Sequence, residues 1–435
     1  MQHAQIEQLG TLDRRIGLAI PVREIETDVS SQLRNIARTV RIAGFRPGKA
    51  PMKLIAQQHG NEVRQEVMGK AIERAFSQAV STHQLRVAGY PRIEPKPDSA
   101  TEGVFECYAV FEVFPEVVLG DLSVREIKRP VFQLGEAEVD TTLAVLAKQR
   151  VTYLGVTRAA QEQDRLVLDY EGRVKGEVFE GGEAKGFVVV LGAGRTLPEF
   201  EQGLMGAVTG ETRSVEVNFP ADYHAAALAG KKAQFAITVQ EISEPVLPEI
   251  NTEFARSLGI SDGDVTAMRA EILTNLTREA QQRVKIKIRD QVFQTLLDIT
   301  PIELPKVLVL TEAQRMHESA QEDMKSRGID IAQNPLPAEM IENQAKQRVA
   351  LGLIVSHIIQ DHQLTATQGE VITAIEALAQ SYEDPQGVMD WYRRTPEKMQ
   401  EVTSSVLEDH VVAWVLSQVK LVDEPMSVET LMGRE

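Results

Sequence analysis

Apolar positions along the chain change their spacing several times, and each change marks a new element. Residues 5–20 alternate loosely through Ile6, Leu9, Leu12, Ile16, Leu18 and Ile20, which predicts a strand ending at Pro21. From Val22 the spacing becomes three or four, through Ile25, Val29, Leu33, Ile36 and Val40, which predicts a helix with one buried stripe. Residues 52–83 predict two further helices divided near Gly60, the second carrying Val63, Val67, Ile72, Phe76 and Val80. Strand patterns return at 85–93 and 104–114, the latter through Phe105, Tyr108, Val110 and Phe111. Strand, helices, strands in this order predict an α+β domain over residues 1–115.

Residues 116–150 read as a connector, with an extended LSVREIKRPVF and a short helix over 136–150 (Val139, Leu143, Leu146). Few Gly or Ser residues occur there, so the connector is expected to be stiff and packed on the helical C-terminal part. Over 151–245 glycines become frequent and strand patterns dominate, at 165–174, 186–191, 212–219 and 233–242. One short helix, 198–205, begins with proline in its first turn. A strand-rich unit of this size holding one helix predicts a strongly curved half-barrel sheet. From Pro245 onward the pattern is almost wholly helical, in amphipathic stretches at about 264–298, 305–327, 337–363, 367–382 and 397–419, punctuated by prolines. The whole is a multidomain α+β chain whose last part, 246–435, is an extended all-α domain with arms.

Composition narrows the function. At 435 residues the chain exceeds one core. Aromatics make up 5%, so the cores are mainly aliphatic, and a net charge of −16 disfavours nucleic-acid binding by the chain as a whole. A single cysteine, Cys107, excludes a disulfide framework and a cysteine metal site; its place in a strand pattern predicts a small core residue. No window approaches eighteen apolar residues, and MQHAQIEQLG lacks the basic start and apolar core of a signal peptide, so a cytoplasmic protein without a membrane partner is expected. GAGRTL at Gly192 lacks the third glycine of a dinucleotide fingerprint, DGD at Asp262 lacks the rest of a calcium loop, and His357 and His362 stand five apart without a ligand cluster. No cofactor and no metal are expected.

Two constellations remain. No acid occurs between Asp28 and Glu62, and across that gap fall Arg34, Arg38, Arg41, Arg46, Lys49 and Lys53, the first three at helical spacing. GFRPGKAP, residues 44–51, is a turn by its glycines and prolines, and it raises Phe45 between charges. Such a face is either merely solvated or a docking tip drawn to phosphate in a salt-sensitive way. It has no aromatic platforms for reading bases, and DNA is not an expected partner. The second constellation is Tyr170, Phe179, Phe187, Phe200, Phe219, Tyr223 and Phe235, dense for so aromatic-poor a chain. They are either core or the lining of an apolar cleft with one or two hydroxyls.

LDYEGRVKGEVFEGG, GFVVVLGAGRTLPEFEQGLMG, FPADYH and KKAQFAITVQEI, in this order over roughly 160–245, resemble an FKBP-type peptidyl-prolyl isomerase domain. GFRPGKAP after a basic helix resembles the ribosome-docking signature of the bacterial trigger factor family, and SYEDPQGVMDWY (381–392) resembles the same family, so the likeness covers essentially all 435 residues. The resemblance implies an isomerase pocket of Tyr170, Phe179, Glu180, Phe187, Leu197, Phe200, Tyr223 and Phe235. Phe200 would be the platform under the proline ring, the Leu197 amide and the Tyr223 hydroxyl would be donors, and Glu180 stands where many relatives carry Asp. It implies docking through Phe45, Arg46, Gly48 and Lys49 with Arg38 and Arg41, Pro47 filling a variable position that is basic in some members. The implied function is a ribosome-associated chaperone. It would bind nascent and unfolded polypeptides at the tunnel exit of the large subunit, touching protein and rRNA backbone, and isomerise X-Pro bonds. A binding-only holdase is the alternative, and a homodimer of the free protein is left open.

Overall fold

The computed structural model describes residues 6–40, 45, 49–96, 103–221, 223, 225, 228–329, 337–380, 382 and 384–433. The chain divides into two compact units, one holding residues 1–129 and 286–424, the other 130–285 and 425–435.

In the first unit, β1 (Ile6–Gln8) and β2 (Asp13–Pro21) form an antiparallel hairpin. The single strand expected over 5–20 is therefore two. The Leu9 and Gly10 amides both donate to the Asp13 carbonyl and close the turn between the two strands. Helix α1 (Val22–Thr39) starts where the spacing changes, and buries Ile25, Val29 and Leu33. Helix α2 (Met52–Thr82) is one helix rather than the expected two. Gly60 faces open space, and Ile55, Val63, Val67 and Phe76 are buried on both sides of it. That packing outweighs the ~1 kcal/mol a mid-helix glycine costs. Strands β3 (Val87–Pro95) and β4 (Val104–Val113) complete a sheet ordered β1-β2-β4-β3. Its inward face is Ile16 and Leu18 opposite Ala109 and Cys107, with the Phe111 ring edge-on to Phe76 at 5.1 Å. Tyr108 takes the other face, under the Arg15 guanidinium at 4.7 Å, so the buried set of this strand is Cys107, Ala109 and Phe111. Cys107 is buried, as its strand position predicted.

Strand β5 (Glu126–Val131) lies in the connector. Leu122, before it, and Ile127, within it, are buried against Val292 and Leu296, Ile354 and Ile358, and Val411 and Val415. A Cβ at Gly120 would meet the Ile299 carbonyl oxygen at 2.5 Å, so this stretch lies flat on the helices.

The second unit begins with α3 (Glu136–Gln149), whose first turn is closed by the Glu138 carboxylate accepting from the Gly135 amide at 2.8 Å. A curved antiparallel sheet follows: β6 (Thr152–Gly155), β7 (Arg165–Val174), β8 (Glu177–Val190), β9 (Thr212–Asn218) and β10 (Lys232–Val246). Its order is β6-β10-β7-β8, with β9 also on β10, and it does not close into a barrel. Lys175 (φ 52°) and Gly176 (φ 90°) turn β7 into β8, the left-handed pair a two-residue hairpin needs. Register shifts on both sides of β7 and within β10 curve the sheet around α4 (Pro198–Leu204). Along β10, Ala233, Phe235, Ile237 and Val239 face in; after the shift the buried side passes to Ile242. Helix α5 (Thr252–Ser257) is capped by Asn251, and α6 (Val265–Ile299) continues into the first unit.

The remaining helices are α7 (Lys306–Ser326), α8 (Ala338–Asp361), α9 (Gln368–Ala379), α10 (Pro385–Arg394) and α11 (Pro396–Gln418). The chain does not stay helical to its end as expected: β11 (Lys420–Pro425) pairs with β5, tied by Lys128 to Glu424 at 2.9 Å and Arg129 to Asp423 at 2.7 Å. Helix α12 (Val428–Met432) follows in the second unit, with Leu431 and Met432 buried.

Candidate active site

The seven aromatic residues expected to be either core or cleft form one connected cluster. Tyr170 on β7 meets Phe187 at 5.3 Å, Phe235 at 5.7 Å and Phe200 at 6.0 Å between ring centres. Phe235 meets Phe200 at 5.4 Å and Phe179 at 6.0 Å, Phe179 meets Phe219 at 6.0 Å, and Phe219 meets Tyr223 at 4.7 Å. All but the last contact are edge-to-face, the arrangement the ring quadrupoles favour. Phe200, Phe219 and Phe235 are buried, while Tyr170, Phe179, Phe187, Leu197 and Tyr223 are half-buried around them. The cluster thus has an aromatic floor and a rim that water reaches.

Two glycines make the floor possible. Phe235 pairs across the sheet with Gly172, where a Cβ would sit 2.5 Å from the ring. At Gly182 a Cβ would be 2.8 Å from the Gly172 carbonyl oxygen and 2.9 Å from that of Phe179. Neither glycine, nor the bridging place of Phe219, follows from the motifs. A strand glycine two or three residues after an aromatic, as Gly172 follows Tyr170 and Gly182 follows Phe179, is the available signal.

Burial, and then the neighbouring Tyr223, push the Tyr170 hydroxyl above the ordinary tyrosine range, so it stays a neutral donor. Leu197 is the residue before α4; its carbonyl accepts from the amides of Phe200 (2.9 Å) and Glu201 (3.2 Å). Its own N–H has no acceptor among the described residues. Helix α4 is pinned at its other end by Arg213, whose guanidinium donates to the carbonyls of Gly203 (3.1 Å), Met205 (2.8 Å) and Gly206 (2.8 Å). Glu180 is exposed and is not brought into the aromatic cluster. At the entry to β7, the buried Asp164 is held bidentately by Arg158, at 2.6 and 2.9 Å, and by the Gln161 amide at 2.8 Å.

The residues expected to dock belong to the first unit. Arg34 and Arg38 are exposed along α1, Lys49 and Lys53 are exposed at the start of α2, and Phe45 is 43% exposed. Arg41, Arg46, Pro47 and Gly48 lie outside the described residues. A separate groove of ≈ 920 Å³ opens in the second unit between α3, Leu276 and residues 425–432. Its Thr141 and Thr142 hydroxyls are bound to their own helix, and Glu138 and Glu429 join Val145, Leu276 and Met432 in its lining.

Comparison with known proteins decides the family. The chain matches the bacterial trigger factor protein model over residues 2–146, the FKBP-type peptidyl-prolyl cis-trans isomerase model over 156–240, and the bacterial trigger factor C-terminus over 264–417. The trigger factor of Aromatoleum aromaticum is 47% identical over 433 residues, covering 100% of this chain and 99% of that one. The chain belongs to the trigger factor family. Trigger factors of Laribacter hongkongensis (44% over 431 residues) and Nitrosospira multiformis (46% over 430 residues) each cover 99% of this chain and 99% of their own length. As a trigger factor, the chain is a ribosome-associated chaperone that binds nascent polypeptides and carries a peptidyl-prolyl isomerase domain of FKBP type. Among the described residues no helix is long and apolar enough to cross a membrane.

Proposed function

We propose that the aromatic cluster is the isomerase pocket and that Phe200, Leu197 and Tyr223 are its working groups. The observation that carries this reading is the continuity of the rings around Phe200 beside a Leu197 amide that has no acceptor among the described residues. Rotation about an X-Pro bond must cross a barrier of ~18–20 kcal/mol because amide resonance is lost on the way. The twisted amide has less charge separation than the planar one, so a pocket that replaces water with ring edges favours it over the ground state. In this reading Phe200 supports the proline ring, Tyr170, Phe179, Phe187 and Phe235 wall it, and the Leu197 amide and Tyr223 hydroxyl hold the neighbouring carbonyl. Glu180, being exposed, acts at most on the flank of the bound peptide.

Tyr223→Phe removes one hydrogen bond of ~0.5–1.5 kcal/mol and should lower kcat/KM about two- to tenfold in proline-limited refolding. Phe200→Ala should lower it further. Full activity in both variants would reject the pocket and leave a domain that only grips.

The same proposal assigns residues 1–115 to ribosome docking, 116–150 to the connector, 151–245 to the isomerase and 246–435 to the chaperone cradle. Phe45 would be the buried anchor, and Arg38, Arg41, Arg46 and Lys49 would supply attraction to rRNA phosphate and acidic protein near the tunnel exit of the large subunit. Gly48 and Pro47 complete the proposed docking set. Ribosome cosedimentation of the Phe45→Ala, Arg46→Ala, Lys49→Ala variant should fall and should lose part of its salt dependence; undiminished binding would refute the docking assignment. We place this work in the cytoplasm. A homodimer of the free chain belongs to the same reading, and sedimentation velocity away from ribosomes would reveal it.

A further inference from the structure

The loop joining β8 to α4 carries the Leu197 amide, and one side chain spans that loop from end to end. Glu201 follows Phe200 on α4. One carboxylate oxygen accepts from the Gly192 amide at 2.8 Å. The other accepts from the Thr196 hydroxyl at 2.9 Å and from the Thr196 amide at 3.4 Å. The loop has little else to fix it. Gly192 (φ 79°) and Gly194 (φ 64°) take left-handed conformations, and residues 192–195 are all exposed. Among the described residues its other backbone tie is the Ala193 amide to the Val190 carbonyl at 3.3 Å. A glycine-rich, exposed loop without a clasp spreads over many conformations.

We propose that Glu201 is a positioning residue for X-Pro isomerisation, holding residues 192–196 so that the Leu197 amide is already aimed when substrate arrives. The inference rests on the pocket reading above, in which that amide receives the substrate carbonyl. A carboxylate suits the task because it accepts at both oxygens and donates at neither. A carboxamide of the same shape can accept from the Gly192 amide and turn the Thr196 hydroxyl into an acceptor, but its NH2 cannot accept from the Thr196 amide, so the clasp is weakened rather than removed. Pre-orientation matters in the turnover step, where an undirected donor must be found again each time. Binding by the ring cluster does not depend on it, so the effect falls on kcat.

The test uses the full chain with Glu201→Gln, Glu201→Ala, Thr196→Val and the comparator Phe200→Ala. Isomerisation of an X-Pro peptide is followed for kcat and KM, and hydrogen exchange over 191–197. Glu201→Ala should lower kcat about tenfold with KM within about twofold, Glu201→Gln about threefold, and Thr196→Val about twofold, with faster exchange confined to the loop. Unchanged kcat in Glu201→Ala, beside a loss in Phe200→Ala, overturns the positioning role and leaves the pocket standing. Unchanged kcat in both removes the pocket as well. If Glu201→Ala speeds exchange throughout β7 to β10, Thr196→Val decides, because it removes one contact and keeps the shape: unchanged kcat there overturns the proposal, and a loss confined to kcat upholds it.

Discussion

Adding one methyl group at Gly172 should measure how tightly the aromatic floor is packed. The new Cβ would stand 2.5 and 2.9 Å from two carbons of Phe235 and 3.0 Å from Phe179. Ordinary carbon contacts need ~3.5–4.0 Å, so Phe235 must retreat by about 1 Å. It has no room, being 7% exposed and flanked by Phe200, Tyr170 and Phe179 at 5.4, 5.7 and 6.0 Å. Overpacking of this kind costs ~1–3 kcal/mol. Gly172 does not use a left-handed backbone, so alanine returns ~0.4–1 kcal/mol by restricting the unfolded chain. The expected net is ~1–2 kcal/mol of destabilisation, or ~5–30-fold more frequent opening of the isomerase sheet. Hydrogen exchange over β7 and β10 in the intact chain should show it, and KM should rise because Phe235 moves within the pocket. Gly69→Ala is the opposite control: it lies inside α2 with nothing within 4 Å, and should protect that helix by up to ~1 kcal/mol. Unchanged exchange and unchanged KM in Gly172→Ala would refute the packing argument.

Two further outcomes are expected. Burial pushes the Asp164 carboxyl up, but hydrogen bonds from Arg158 and the Gln161 amide outweigh it and hold the group below the ordinary carboxylate range. A lowered folded value stabilises above the unfolded value of ~3.9 and is lost as pH falls through the folded one. Exchange protection at the start of β7 should therefore persist from neutral pH to about pH 4 and fade below it, while Arg158→Met moves the loss upward; an unmoved midpoint in that variant contradicts the assignment. In the first unit, Gly89→Ala combines a left-handed φ of 81° with a Cβ 2.7 Å from Val307, whose amide donates to Glu112 at 2.9 Å. Limited proteolysis at 300–310 should accelerate, and an unchanged rate would mean α7 does not depend on this contact.

Long periodic stretches were legible in the sequence because they repeat their signal. Strand β7 occupies the 165–174 predicted for it, and α1 begins at Val22 where alternation gives way to helical spacing. Short elements carry too few periods: β6 has four residues, α5 six and α12 five. Strand β11 depends on a partner, β5, with Glu424 standing 296 residues from Lys128, and no local pattern reports that. In the hairpin β1–β2, loose alternation runs through Gly10 and hides the turn. The site divides the same way. Its rings stood out because seven of 13 Phe, seven Tyr and two Trp fall within 170–235. Gly172 and Gly182 matter only for what an absent Cβ leaves room for, and Glu201 reads as one more solvated acid beside Glu199 until the loop closes on it.

That division has a consequence for how the two proposed activities respond to conditions. The proposed isomerase floor is built of uncharged rings whose contacts are edge-to-face and mostly buried. Its hold on a proline comes from apolar contact and neutral donors, which salt barely screens. The docking face has the opposite make-up: Arg34, Arg38, Lys49 and Lys53 are exposed, within a chain of net charge −16. Their attraction to phosphate falls off over ~8 Å at physiological ionic strength and weakens further with added salt. In the proposed docking mode the repulsion between an acidic chain and rRNA would be overcome locally, by the positive charge gathered in the acid-free stretch around Phe45. Raising salt should therefore release the protein from ribosomes while leaving the rate per isomerase domain almost unaltered, since one activity depends on long-range charge and the other on contact.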